Sequence, residues 1–469
     1  MNKLFYGDNL EILRSQIPEE SVDLCYIDPP FNSKRDYNQI YNNIGGEDKA
    51  QAMAFVDTWE WNALAEKEFD EICMNQGGLL SAQTSNLIMG LFKILGRGSL
   101  MSYLVSMTLR INEIHRVLKP TGSFYLHCDS TVSHYLKIVL DAVFCGNGGE
   151  FRNEINWRRG NANTNTAGNQ FSRNSDTIFF YTKSSTHIFN RQLKPYSQAT
   201  LKMYKFDDND GRGVYRLQEL RTYSQESIDS FMQNNRLVER NGKQYFKQYF
   251  TDKEGVAIDT IWEDIPSLQG SSKERLGYPT QKPEKLLERI IRASSNEDSV
   301  ILDAFCGCGT TVAVAQRLGR KWIGIDITYQ SISLIKKRLV ESYGEAVLDT
   351  IKESGNPKDI EAARALATKQ DDRLRKEFEK WALLTYSNNM AMVNEKKGAD
   401  GGIDGRARIR TDVNAYKDVL FSVKSGKVGV KDIREFHTVV DRENAVFGIF
   451  IAQCPDKGYD KRSSRIWHI

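Results

Sequence analysis

Ser299-Val300-Ile301-Leu302-Asp303-Ala304-Phe305-Cys306-Gly307-Cys308-Gly309-Thr310-Thr311 is a short apolar run that ends in an acid, turns through two glycines and enters a helical pattern over Val312 to Leu318. Glycines in such a turn let the backbone approach a ligand where a Cβ would collide. Seventeen residues after Gly309 the next apolar run, Lys321-Trp322-Ile323-Gly324-Ile325, ends in Asp326. A carboxylate at that strand tip can accept both hydrogen bonds of a ribose diol. A nicotinamide dinucleotide uses the same geometry, but the third glycine of its fingerprint is Val312 here. Asp303 also stands where a pyrophosphate would lie, and its charge suits a cationic amino group or a sulfonium.

A second acid-tipped run lies far upstream: Asp23-Leu24-Cys25-Tyr26-Ile27-Asp28-Pro29-Pro30-Phe31-Asn32. Two consecutive prolines fix φ and remove two backbone donors, leaving carbonyls and the Asp28 carboxylate as acceptors. An exocyclic nucleobase amine is a poor nucleophile with two N–H donors. Asp28 and the Pro29 carbonyl can take both, turn the nitrogen toward tetrahedral geometry and aim its lone pair at a methyl sulfonium, while Phe31 stacks on the base. That chemistry cannot occur inside a duplex, so the target base must be flipped out.

Similar runs at Ser123 to His127 and Thr177 to Tyr181 alternate with helical patterns at Tyr103 to Leu118 and Lys285 to Ala293. This predicts an α/β fold, a mostly parallel sheet covered on both faces. The region from Asn42 to Gly98 reads as a helical insertion with glycine-rich joints. Lys183 to Thr260 is polar, rich in Tyr, Gln, Arg and Asn, and suits substrate reading. Lys336 to Trp381 reads as a charged helical stretch broken at Ser354-Gly355-Asn356-Pro357.

Together the two loops resemble those of the amino-methylating DNA methyltransferases, in the permuted order of the β class, over roughly the first three quarters of the chain. The resemblance implies a doubly wound, Rossmann-like sheet with an antiparallel last hairpin, and S-adenosylmethionine as cofactor. It assigns Asp28, Pro29, Pro30 and Phe31 to catalysis, and Asp303, Phe305, Gly307, Gly309 and Asp326 to the cofactor. Tyr6-Gly7-Asp8-Asn9 looks like the segment whose acid, Asp8, contacts the cofactor adenine. Pro279-Thr280-Gln281-Lys282-Pro283, with Lys282, looks like the motif beside the methionine moiety. Trp157-Arg158-Arg159 through Arg173 to Asp176 resembles the border of the catalytic pocket. An aspartate at the head of the proline corner implies adenine N6 rather than cytosine N4. Neither Cys306 nor Cys308 follows the Pro-Cys pattern of cytosine-C5 methylation. The implied partners are double-stranded DNA, a second copy of the chain and a restriction subunit.

Farther on, Gly402-Ile403-Asp404-Gly405 and Val419-Leu420-Phe421-Ser422-Val423-Lys424 separate an acid and a lysine by one hairpin. The pattern resembles the restriction-endonuclease-like superfamily, where an acid holds Mg2+ and a lysine polarises water. Ser422 departs from it, standing where the second acid or a glutamine belongs. The run ends at Ile469 soon after the strand Ala445 to Ile451, so a shortened domain is expected. The expected organisation is a methyltransferase domain over 1–345, with target recognition over 183–260, a helical linker over 346–375 and a smaller α/β nuclease-like domain over 376–469.

The bulk composition excludes little. With 64 basic and 61 acidic residues in 469, the net charge of +3 neither demands nor forbids a polyanion, so any nucleic-acid surface must be local. Seven cysteines without paired spacing and six histidines without ligand spacing predict reduced thiols, no metal in the methyltransferase domain and structural histidines. With no signal peptide or membrane-length apolar run, a cytoplasmic protein is expected. Three alternatives stay open: a cytosine-N4 methyltransferase, an enzyme that both methylates and cleaves DNA, and a non-catalytic DNA-binding subunit.

Overall fold

The computed structural model describes residues 1–355 except 31–34, 44–45, 58, 76, 161–170, 253, 271, 277 and 279. It describes residues 372–468 except 388–390, 395–401, 413–414, 425–427 and 453–466. The chain forms two compact units, Met1–Phe189 with Glu263–Ile469, and Asn190–Trp262.

The first unit is built on a sheet whose strands run in the order Glu150–Arg158, Ser175–Thr182, Leu118–Cys128, Val22–Ile27, Val300–Asp303, Lys321–Asp326, Asn2–Tyr6, Ile351–Ser354. Neighbours pair in parallel except Ser175–Thr182, which is antiparallel to both of its neighbours. Val22–Ile27 is buried along its whole length, as a parallel strand covered on both faces must be. Alternate residues enter different cores. Cys25, Ile27, Leu302, Ile323 and Ile325 join the helices Asn9–Gln16, Ser99–Val117 and Ser133–Val143. Their neighbours Tyr125 and Trp322 reach the other way, hydrogen bonding to Ser294 of helix Glu284–Ser294 and Gln316 of helix Thr310–Arg317. This is the doubly wound sheet expected from the sequence.

Two expectations change. The stretch from Asn42 to Gly98, read as a helical insertion, begins at the end of the strand Arg35–Asn43 and first carries its antiparallel partner Gly46–Asp57, before the helices Ala63–Met74 and Ala82–Leu95. In the sequence the Gly45-Gly46 pair is a turn signal that the helical reading passed over. Within the expected linker, Ile351–Ser354 is an edge strand pairing in parallel with Asn2–Tyr6, so the large sheet continues past residue 345.

Beyond helix Asp372–Tyr386 lies a five-stranded sheet in the order Met392–Val393, Gly405–Asp412, Ala415–Lys424, Phe447–Ala452, Trp467–His468. Val419, Phe421 and Val423 pack with Ala382, Leu383 and Leu384, whereas Leu420 packs with Phe436 and Val440 of helix Val430–Arg442. That is a small α/β layer, as expected.

The second unit carries a three-stranded antiparallel sheet, Leu237–Arg240, Lys243–Tyr249 and Tyr215–Glu219, with the helix Gln225–Gln233. Its limits lie close to the expected target-recognition region. Guanidinium groups lie over its aromatic rings: Arg216 is 5.3 Å from the ring centre of Tyr204, and Arg240 is 5.0 Å from that of Phe206. Among the described residues no helix is long and apolar enough to cross a membrane.

Candidate active site

Strands Val22–Ile27 and Val300–Asp303 are parallel neighbours, with Leu24 opposite Ile301 and Cys25 opposite Leu302. From the first, the sheet next receives Leu118–Cys128 on one side; from the second, Lys321–Asp326 on the other. The crevice between such diverging strands, at their carboxyl ends, is where open α/β sheets bind ligands. A cleft lies there, lined by Asp28, Pro29, Pro30, Lys282, Asp303, Phe305, Gly307 and Asp326 among others. The proline corner and the glycine loop, 275 residues apart from Asp28 to Asp303, therefore share one cavity.

Asp326 anchors the glycine loop. Its Oδ2 accepts from Gly307 N at 2.8 Å, and its Oδ1 accepts from Thr328 N and Oγ1, both at 3.0 Å. Gly307 has φ +46°, and a Cβ there would stand 3.3 Å from the ring of Tyr278. Gly309 has φ +73°, and a Cβ there would stand 2.5 Å from Cγ1 of Ile335. Only glycine fits this left-handed turn. The Asp303 carboxyl, 5% exposed, accepts from Phe305 N at 3.1 Å. Burial, with the charges of Asp28 and Asp326 adding to it, pushes it up to about 7 against the opposing hydrogen bonds from Thr311 and the Phe305 N–H. Burial raises Asp326 as well. A cleft holding three carboxylates and Lys282 suits a cationic ligand and opposes a pyrophosphate.

At the corner, Lys282 donates to Oδ2 of Asp28, and its Nζ also lies 3.3 Å from the Thr280 carbonyl. Oδ1 of Asp28 is buried with no hydrogen-bond partner among the described residues. Lys282, expected beside the cofactor, thus lines the shared cleft but has the corner acid as partner. Asp8 is not among the residues lining the cleft. Its carboxylate caps helix Asn9–Gln16, accepting from Leu10 N and Glu11 N, and pairs with Arg110 at 3.0 Å. A free aspartate at a helix start is a preferred N-cap, and this use competes with a ligand role. The adjacent Asn9 supports the cofactor loop from behind, donating to Ala304 O at 2.8 Å. Phe31 lies outside the described residues. Sequence reasoning missed Tyr26, Tyr278, Thr280 and Thr311 as cleft-lining residues; Tyr278 stands one residue before the quoted Pro279 motif and Tyr26 inside the quoted corner.

In the C-terminal layer, Oδ2 of Asp404 accepts from Ser422 Oγ at 3.1 Å and from Val423 N at 2.7 Å. The hairpin thus brings Asp404 and Ser422 together, and Lys424 follows two residues after Ser422 on the strand Ala415–Lys424. Mg2+ prefers an octahedral oxygen shell built on carboxylates and water. Here one carboxylate is already held by protein donors, and no group of three His, Cys, Asp or Glu side chains that could hold a metal exists among the described residues. The described side chains do not fit the ion.

A family model described as DNA methylase matches residues 22–337, and one described as restriction endonuclease matches 374–455. The type II methyltransferase M.EcaI of Enterobacter cloacae is 28% identical over 263 residues, 50% of this chain and 57% of that protein. The type II methyltransferase M.BamHI of Bacillus amyloliquefaciens is 27% identical over 340 residues, 72% of this chain and 57% of that one. The chain thus spans little more than half the length of these two relatives. The DNA adenine methyltransferase YhdJ of Escherichia coli is 26% identical over 337 residues, 72% of this chain and 82% of YhdJ. Among solved structures, the PvuII DNA methyltransferase, cytosine-N4-specific, aligns with a TM-score of 0.38 at 16% identity, over 74% of this chain and 91% of that one. With the methylase model spanning both acid-tipped loops and the sheet between them, the chain belongs to the DNA methylase family and carries a restriction-endonuclease-like segment at its C-terminal end.

Proposed function

We propose that the chain transfers a methyl group from S-adenosylmethionine to the exocyclic N6 of adenine in double-stranded DNA, in a restriction-modification setting. The observation that carries this reading is the meeting of Asp28 and Asp303 in one cleft, with Oδ1 of Asp28 buried and unpartnered among the described residues. S-adenosylmethionine supplies an electrophilic methyl group on a cationic sulfur. Gly307 and Gly309 give the loop its left-handed turn, with Gly307 on the wall of the cleft and Gly309 packed behind it against Ile335. Asp303 offers its charge to the cationic amino end, and Asp326 uses its remaining lone pairs for the ribose hydroxyls. At the corner, Oδ1 of Asp28 and the Pro29 carbonyl accept hydrogen bonds from the two amine N–H groups, and Pro30 has no N–H to donate to those oxygens in the amine's place. Lys282 holds the other carboxylate oxygen, so the acceptor keeps one aim. Catalysis then lies in orientation and exclusion of water, without a covalent enzyme intermediate.

The adenine reading follows the acid at the corner and the adenine methyltransferase among the relatives. The test is incubation with isotopically labelled S-adenosylmethionine and unmethylated DNA, followed by nucleoside mass spectrometry. Labelled N6-methyladenine is expected. Labelled N4-methylcytosine would reassign the base, and absence of any labelled nucleoside would overturn the reading. The second unit is the proposed DNA reader, on the strength of its arginine and aromatic surface.

A further inference from the structure

A line of polar side chains runs sideways through the sheet from the cleft. The Tyr26 hydroxyl and His127 Nδ1 are 3.0 Å apart, and His127 Nε2 lies 3.1 Å from Oδ2 of Asp176. Arg159 Nε approaches the other oxygen of Asp176 at 3.4 Å. The three inner residues sit on adjacent strands, with Ile27 opposite Leu126 and His127 opposite Ile178. All lie at the edge of the sheet that carries the cleft, and Tyr26 itself lines it two residues before Asp28.

Such a chain is an unusual thing to bury. Tyr26, His127 and Asp176 are 2%, 0% and 3% exposed, and polar groups so deep are costly unless each finds a partner. Apolar residues of the same shape would pack there without that requirement. Trp157 closes the far side, its ring edge-on to His127 at 5.5 Å and its Nε1 donating to the Ile265 carbonyl at 2.7 Å. Burial alone would raise the Asp176 carboxyl, but the His127 hydrogen bond and the positive charges of Arg159 and Lys282 help to outweigh it and hold it low. The ionised Asp176 holds one side of the His127 ring through Nε2, and on the other side Nδ1 is hydrogen-bonded to the Tyr26 hydroxyl, which sets the rotation of that hydroxyl and the place of the ring beneath the corner.

We propose that Tyr26, His127 and Asp176 form a positioning relay that holds the Asp28 corner in its reactive place, an inference that rests on the methyl-transfer reading above. None of the three needs to exchange a proton with the substrate. The relay works by removing freedom from the strand tip, where a displacement of about 1 Å can cost roughly 100-fold in rate.

The test compares Tyr26→Phe, His127→Leu and His127→Gln with Tyr125→Phe. Tyr125 is an equally buried tyrosine on the neighbouring strand, opposite Tyr26, whose hydroxyl bonds Ser294 outside the relay. Single-turnover methyl transfer at saturating cofactor and DNA, cofactor affinity and the thermal midpoint are measured on each full-length chain. Tyr26→Phe and His127→Leu are expected to slow transfer by about 10- to 100-fold with cofactor affinity unchanged. His127→Gln, which keeps an acceptor and a donor, should recover part of the rate, and Tyr125→Phe should lose stability without losing rate. A folded Tyr26→Phe chain with the wild-type rate would overturn the relay, as would Tyr125→Phe slowing transfer as much as Tyr26→Phe. An inactive wild-type chain would instead remove the methyl-transfer reading and the relay with it, so the two failures are distinct.

Discussion

Lys282 donates to Oδ2 of Asp28 across 254 residues of chain, while Oδ1 of the same carboxylate is buried without a partner among the described residues. One oxygen is thus committed to structure and the other kept for a ligand. Asp28→Ala should abolish methyl transfer and leave cofactor binding in place, measured by labelled-methyl incorporation and by calorimetric titration. Lys282→Met should cost about 3 kcal/mol of stability, because breaking one side of a buried pair strands the other charge. The double variant Asp28→Asn with Lys282→Met should recover most of that loss in denaturant unfolding and none of the activity. Additive losses in the double variant would show that the two side chains are not coupled.

Asp303 makes cofactor affinity depend on pH. Its carboxyl stands at about 7 in the fold against an ordinary 3.8. The ionised form is the one that attracts a cationic amino group, so affinity for S-adenosylmethionine should rise as pH is raised from 6 to 8. Stability moves with the opposite sign. Between the unfolded and folded values the native state keeps a proton that the unfolded chain has released, so stability falls as pH rises through that window. At pH 8 the cost is fully developed and is roughly 4 kcal/mol, since each pH step of one between the two values contributes about 1.4 kcal/mol. Asp303→Asn should therefore raise the thermal midpoint at pH 8, flatten its pH dependence between 4 and 7, and lose most cofactor affinity. A variant no more stable than wild type at pH 8 would contradict the assignment.

Gly309→Ala tests the cradle. Its φ of +73° and the 2.5 Å approach to Ile335 add strain to a clash within the core. The expected loss is at least about 1 kcal/mol of stability, together with weakened cofactor binding. Full cofactor affinity in a folded Gly309→Ala chain would mean that the loop has room to spare.

Both loops were legible in the sequence because their chemistry is local. Prolines at 29 and 30, glycines at 307 and 309, and acids at strand tips each constrain their own backbone, so reading them requires no tertiary information. Lys282 and Asp8 show where that stops. Their motifs were visible, but what their charges meet depends on which strand tips the fold brings together. Asp8 found the nearest orphan N–H groups, at the start of its own helix, and Lys282 found an acid 254 residues away. His127 read as a structural histidine, since its hydrogen-bonding neighbours are 101 and 49 residues distant and no spacing rule connects them. Ile351–Ser354 was hidden for the same reason: a short edge strand beside a charged helix has no period of its own, and only pairing with Asn2–Tyr6 makes it one.

The proposed DNA reader can be probed at Arg240. Its guanidinium lies 5.0 Å from the ring centre of Phe206, is exposed, and pairs with no carboxylate among the described residues. Arg240→Ala should weaken DNA binding across sequences and reduce the slope of log affinity against log salt by about 0.9, the loss of one phosphate contact. An unchanged salt slope would remove Arg240 from the interface.

The restriction-endonuclease-like segment is expected to bind DNA-metal complexes poorly, for a reason that one substitution can reverse. Oδ2 of Asp404 already accepts from Ser422 Oγ and Val423 N, and Ser422, 1% exposed, adds a neutral hydroxyl where a second carboxylate would complete the donor set. Millimolar magnesium should therefore leave the wild-type thermal midpoint unmoved and release no DNA fragments. Ser422→Glu places a second acid against Asp404 in a buried site. Without metal, two adjacent carboxylates repel and the variant should unfold at lower temperature. With magnesium, the ion neutralises both and the midpoint should return toward wild type, a metal-dependent stabilisation that follows ordinary binding linkage. Magnesium-dependent cleavage by the wild-type chain, abolished in Lys424→Ala, would show instead that the hairpin is a working nuclease centre.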